Sequence, residues 1–195
     1  MGKTQVFEEI CSEKRQVDAE VLKQTISLAV EIAREGREGR KIGTLFVVGD
    51  SREVMKRSKP LILDPLHGHP EEDKQIDSPD RRETIKELAQ LDGAFLVSNK
   101  GVVLSAARYI DAASDSLDLP LGLGSRHMAG ASISRQTSAV SVVVSESSMV
   151  RMFDDGELVS EIVPELWMIE GYRSQMDGRT FTRRDEDVTV IGRAE

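Results

Sequence analysis

Two short runs, residues 42–48 (IGTLFVV) and residues 139–144 (AVSVVV), are apolar at nearly every position rather than at every second one. A strand with one face in water alternates, so an unbroken apolar run bounded by turn residues predicts a strand buried on both faces. The first run stops at Gly49-Asp50, a turn pair. Strands of this kind belong inside a covered sheet, and helical segments interleave with them irregularly along the chain. The expected class is therefore α/β, with a mixed, partly antiparallel central sheet flanked by helices.

The surrounding pattern fills in that frame. Residues 18–35 carry apolar residues at helical spacing, with Asp18 as N-cap and Gly36 as stop. A short helix is expected near residues 53–57, a long surface loop over residues 60–79, and a helix over residues 81–90. Residues 93–98 and 102–106 flank Asn99-Lys100-Gly101 and predict a hairpin. After an acidic loop, residues 122–127 open a helix running to about residue 136. Residues 149–153 and 157–163, joined by Asp154-Asp155-Gly156, continue the 139–144 strand as a meander. Past Pro164 the pattern weakens to a short helix over residues 165–169 and a small strand over residues 188–191.

At 195 residues the chain suits one domain, and 39% hydrophobic with 4% aromatic residues suits a core of Val, Ile, Leu and Ala. The division expected within it is a helical segment over residues 1–40, a core over residues 41–165 and an extension over residues 166–195. A net charge of −8 argues against a nucleic-acid partner, which needs a basic stripe for phosphates. The single Cys11 can form no internal disulfide, which fits the cytoplasm. No run approaches the roughly 20 apolar residues that span a bilayer, and residues 1–15 are polar, so no membrane partner is expected.

Chemistry is best sought where a turn opens a helix. Gly122 to His127 aims backbone N–H groups and the positive end of the helix dipole at an anion, Arg126 adds a guanidinium fork, and Ser125 is a donor or cap. Neither GxGxxG nor GxxxxGK[ST] is present, which sets aside dinucleotide-binding and P-loop architectures. Asp92-Gly93-Ala94 precedes a strand: small residues allow close approach of a ligand, and the carboxylate can hold a divalent cation or a hydroxyl. Ser145-Glu146 closes the apolar 139–144 strand, a strand-end position where α/β proteins place ligands. Tyr109 can stack on a base, and His67 and His69 lack a third zinc-type ligand. A Ser125–His127–Asp92 hydrolase fails for want of a G-x-S-x-G elbow. Taken singly, each of these pieces is more simply explained by caps, turns and core packing.

Together they are not so easily explained. LDGAFLVS (residues 91–98), GVVLSAARYI (residues 101–110), GSRHMAGASISRQTSAVSVVVSES (residues 124–147) and MVRMFDDGELV (residues 149–159) stand in the order and spacing that resemble the diadenylate cyclase domain family. The likeness is close over residues 81–163. Upstream, RKIGTLFVVGDS and LILDPLHGHP look like the stand-alone form met in archaea. The family's hallmarks, a DGA triplet and a G[TS]RHR run, appear as Asp92-Gly93-Ala94 and Gly124-Ser125-Arg126-His127. Met128 departs from the pattern, standing where the run has a second Arg, so one contact to the phosphate tail is missing there.

The resemblance implies the family's fold and its activity, joining two ATP molecules into cyclic di-AMP with release of pyrophosphate. It implies Asp92, Arg126 and His127 as catalytic, with Asp92 beside an Mn2+ or Mg2+ ion and the ribose 3′-hydroxyl. Ser125, Arg126 and His127 would hold the triphosphate, and Tyr109 and Ile110 would flank adenine. Gly93, Ala94, Gly124, Ser145 and Glu146 complete the implied nucleotide site. One site holds one ATP, so the activity implies a two-fold homodimer or larger homo-oligomer. The rival expectations are a module that binds ATP or cyclic di-AMP without turnover, and an interaction protein that binds no nucleotide.

Overall fold

The computed structural model describes residues 17–111, 117, 119–164, 180–185 and 188–193. Its elements are α1 (Ala19–Glu35), β1 (Thr44–Val48), α2 (Ser51–Lys56), β2 (Ser58–Pro60), a 3-10 turn (Glu71–Lys74), α3 (Pro79–Leu88), β3 (Ala94–Val97) and β4 (Val103–Ile110). They continue with α4 (Ser125–Gln136), β5 (Val140–Val144), β6 (Val150–Asp154), β7 (Glu157–Pro164), β8 (Thr180–Asp185) and β9 (Val188–Arg193). All nine strands join one sheet in the order β2-β4-β3-β1-β5-β6-β7-β9-β8. β1 and β3 run parallel, and every other neighbouring pair is antiparallel. The sheet is mixed and covered by helices, as the sequence predicts.

The unbroken apolar runs are explained by two cores, one on each face. Phe46 and Val48 of β1, with Val140, Val142 and Val144 of β5, pack with α1, whereas Leu45, Val47 and Val143 pack with α4. Phe46 also stacks on Phe95 of β3, ring centroids 5.0 Å apart. α1 is closed at both ends as read from sequence: Asp18 Oδ1 accepts from the Val21 N–H at 3.0 Å, and Gly36, at φ 61°, donates to Ile32 O. On the other face α4 lies close because Gly130 has no side chain. A Cβ there would meet Val143 Cγ2 at 2.9 Å, and Ser141 of β5 donates its hydroxyl to Gly130 O.

Residues 60–79 run over the surface as expected and are tied down at several points. Asp64 accepts from Ser105 Oγ at 2.6 Å, Ile76 is buried and donates its N–H to Gly101 O, and Gln75 bridges Val102. Two details differ from the sequence expectation. β2 and β8 were not foreseen, because both are edge strands with no apolar alternation to mark them. β4 runs on to Ile110, past the end expected at residue 106. The helix expected over residues 165–169 lies outside the described residues. No helix among the described residues is long and apolar enough to cross a membrane.

Candidate functional site

One end of the sheet gathers the motif residues. The pairing of Thr44 with Val144 and of Ala94 with Arg108 brings the starts of β1 and β3 level with the ends of β4 and β5. The N-terminus of α4 opens at the same end, and a cleft of about 140 Å³ lies there. It is lined by Asp92, Gly93, Ala94, Tyr109, Ile110, Ser125 and Arg126, all foreseen from sequence, together with Leu45, Leu61, Arg108 and Ala129, which were not.

Backbone geometry explains why the DGA triplet is built as it is. Gly93 takes φ +102°, and a Cβ there would lie 2.8 Å from Ala107 C and Arg108 N. Only glycine meets both demands. Opposite it, β4 shifts register against β3, and Ala107 adopts φ 51°, a bulge of the kind that re-aims side chains beside a site. The bulge turns Arg108 inward and Tyr109 outward. Arg108 donates from Nε to Ser58 Oγ and from Nη2 to Ser58 O, both at 2.8 Å. Tyr109 is half-exposed at the cleft rim, with Lys59 Nζ 5.3 Å from its ring centroid.

Arg126 closes the arrangement. Its Nη2 lies 3.4 Å from Asp92 Oδ1 and its Nη1 3.2 Å from Glu146 Oε1, so one guanidinium bridges the DGA triplet to the strand-end carboxylate. The guanidinium can come this near because Gly43, just before β1, is bare: a Cβ there would meet Nη1 at 2.8 Å. Sequence reasoning missed Gly43, although a glycine leading into a buried strand is itself a signal of close approach. Gly124 is the N-cap of α4, with no side chain to occupy the helix's first N–H groups.

Two foreseen residues sit elsewhere. His127 is buried on the sheet side of α4, not in the cleft lining. Its ring stands edge-on to Phe153 at 6.2 Å, and Nε2 lies 3.3 Å from Arg151 Nη1. Burial, then the Arg151 and Arg126 guanidinium groups, push its pKa down to about 4, with Glu161 opposing. Ser145 shapes the β5–β6 turn, its hydroxyl 2.6 Å from that of Ser147 and accepting from Met149 N. Met128 is exposed on α4, outside the cleft lining. His67 and His69 are exposed, and among the described residues no three acids, histidines or cysteines cluster as a metal cage.

Residues 31–158 match the family model described as DisA bacterial checkpoint controller nucleotide-binding. A protein named diadenylate cyclase from Methanocaldococcus jannaschii is 49% identical over 144 residues, 73% of this chain and 45% of that protein. One of the same name from Haloferax volcanii is 38% identical over 153 residues, 78% of this chain and 56% of that protein. The chain thus spans about half the length of these relatives. A crystal structure described as a hypothetical membrane spanning protein from Bacillus cereus shares the fold at TM-score 0.51 and 18% identity, over 78% of this chain and 67% of that one.

Proposed function

The chain belongs to the family of DisA bacterial checkpoint controller nucleotide-binding domains, and on that footing we propose that it is a diadenylate cyclase, converting two ATP into cyclic di-3′,5′-AMP and two pyrophosphates. The observation that carries this reading is the Arg126 bridge. It ties Glu146 to the cleft that holds the Asp92 carboxylate, the start of α4 and an aromatic rim. Phosphoryl transfer asks a protein chiefly to position groups and to neutralise charge, and those are the parts assembled here.

Each residue then has a task. Ser125 and Arg126, with the first N–H groups of α4 beside Gly124, hold the phosphate chain, and Glu146 holds Arg126 at the cleft until the phosphates take its place. Gly93 and Ala94 let the ribose lie against the start of β3. Tyr109 and Ile110 bracket the adenine, with Ser145 holding the strand end that carries Glu146. Asp92 sits beside the 3′-hydroxyl and draws its proton as the oxygen bonds to the α-phosphorus of the other ATP and pyrophosphate departs. His127 serves this site from behind, through α4.

A divalent cation, Mn2+ or Mg2+, supplies further charge neutralisation on the phosphates when bound. Asp92 fits it: its side chain is 81% exposed at the cleft, and such ions take one or two carboxylates and complete their shell with phosphate oxygens and water. A cleft of about 140 Å³ is smaller than the roughly 300 Å³ or more of common ligand pockets, so on this reading it holds no more than one ATP. Two copies facing each other across a two-fold axis bring each 3′-hydroxyl to the other α-phosphate. With ATP as its substrate, the cytoplasm is the location we propose.

Incubation with ATP and Mn2+ or Mg2+, with products resolved by chromatography and mass, tests the proposal. Cyclic di-AMP with pyrophosphate is the expected outcome, and ATP bound but unchanged would replace the cyclase with a sensor. Asp92→Asn should keep the fold and ATP binding and lower turnover by about 100-fold or more. Normal product formation by that variant would remove Asp92 from its role.

A further inference from the structure

Beneath the first turn of α4 lies a buried ion pair that the reaction described above does not use. Arg151 of β6 and Glu161 of β7 stand opposite in register and are 7% and 0% exposed, with Arg151 Nε donating to Glu161 Oε1 at 2.9 Å. Two charges removed from water add little net stability, and apolar residues in their place often do better. The pairing of β6 with β7 therefore does not call for them. The pair also reaches His127. Arg151 Nη1 lies 3.3 Å from Nε2, and Met149 Sδ backs Nη2 at 4.0 Å.

A guanidinium has donors only, so Nε2 must be the acceptor, and a neutral imidazole then carries its proton on Nδ1. Nδ1 is buried and has no hydrogen-bond partner among the described residues. The ring thus presents one oriented N–H, in the first turn of the helix and one residue from Arg126. We infer that the Glu161–Arg151 pair is a positioning device, which fixes His127 as the Nδ1–H tautomer and so reserves that N–H for the triphosphate contact that the family resemblance already implies for His127. The ligand half of this inference rests on the cleft being a nucleotide site. Nδ1 is covered in the free protein, so the oxygen reaches it through one bridging water or a small shift of the turn.

The tautomer is read directly by long-range 1H–15N correlation on protein labelled at its three histidines, the His127 signals being identified by their loss in His127→Gln. The expected pattern at neutral pH is a protonated Nδ1 and an unprotonated Nε2. The reverse pattern would overturn the inference. Arg151→Met alone breaks a buried contact of Glu161 and can unfold the chain, so the decisive variant is Arg151→Met/Glu161→Met, which removes both charges. It should keep the native melting temperature, lose the tautomer preference and turn over ATP roughly ten- to a hundredfold more slowly, the size seen when groups that orient a ligating histidine are removed. Unchanged tautomer and turnover in a folded double variant would reduce the pair to packing. In the native protein a non-hydrolysable ATP analogue with Mg2+ should move the Nδ1 resonance. Analogue bound with Nδ1 unmoved would overturn the reserved donor, whereas no binding at all would overturn the cleft's reading, with the tautomer still measured on the free protein.

Discussion

His127 ties the residue scale to stability through pH. Its folded pKa of about 4 lies below the ordinary 6.5, so between those values the unfolded chain takes up a proton that the native state resists. The stability is whole above pH 6.5 and is lost as pH falls towards 4. At pH 5 the loss is about 2 kcal/mol. Urea denaturation at pH 7.5 and pH 5 should show that loss in the native protein and much less of it in His127→Gln; equal losses would show that the ring titrates normally. His127 also marks where legibility in the sequence ended. Asp92, Gly93, Ser125 and Arg126 were readable because they sit in short contiguous motifs. The direction His127 takes was not read, because a helix face is set by packing. A signal existed nonetheless: His127, Gly130, Ala131 and Ser134 follow the i, i+3, i+4, i+7 stripe, and all four are buried against the sheet. Arg126 and Ala129 lie on the adjacent stripe and face the cleft.

At the scale of elements, the β3–β4 hairpin is the part whose geometry the site depends on most. Gly93→Ala forces a Cβ into the backbone of Ala107 and Arg108 at a φ that alanine avoids. It should cost about 2 kcal/mol or more in a denaturant titration and should weaken ATP binding as well, because the bulge that aims Arg108 and Tyr109 must move. Native stability and binding in that variant would mean that the hairpin yields easily. The hairpin itself, the buried strands and the caps of α1 were legible because each rests on local chemistry: a turn residue, an unbroken apolar run, a carboxylate two or three residues from the N–H groups it caps. The bulge at Ala107 was not, since alanine gives no sign that it will adopt φ 51°. Nor was the pairing of Arg108 with Ser58, which joins residues 50 apart and exists only once β2 has docked on β4.

For the whole molecule, the cleft collects Gly43, Leu61, Asp92, Arg108, Arg126 and Glu146, residues spread over more than half the chain. No local pattern reports such distances, so the family resemblance carried the assembly of the site where periodicity could not. On the proposed reaction one cleft takes one ATP, and activity then belongs to a pair of molecules. Specific activity should rise with protein concentration and level off as dimers saturate, measured alongside light scattering. A flat profile down to concentrations where only monomers are present would rule out catalysis across two subunits. The chain's charge of −8 repels a polyphosphate at long range, so the proposed substrate is better met as a cation complex, which offsets that repulsion. The Arg126 bridge adds something different in kind. Before any nucleotide arrives, its guanidinium already lies against two carboxylates, both mostly exposed and each contributing on the order of 1 kcal/mol or less. On the proposed function, ligand capture is a substitution reaction, in which phosphate oxygens displace carboxylate oxygens from the same fork. A lone small anion must outcompete two incumbents with one charge and gains little, whereas a triphosphate brings several at once, so the resting protein discriminates by valence before it discriminates by shape.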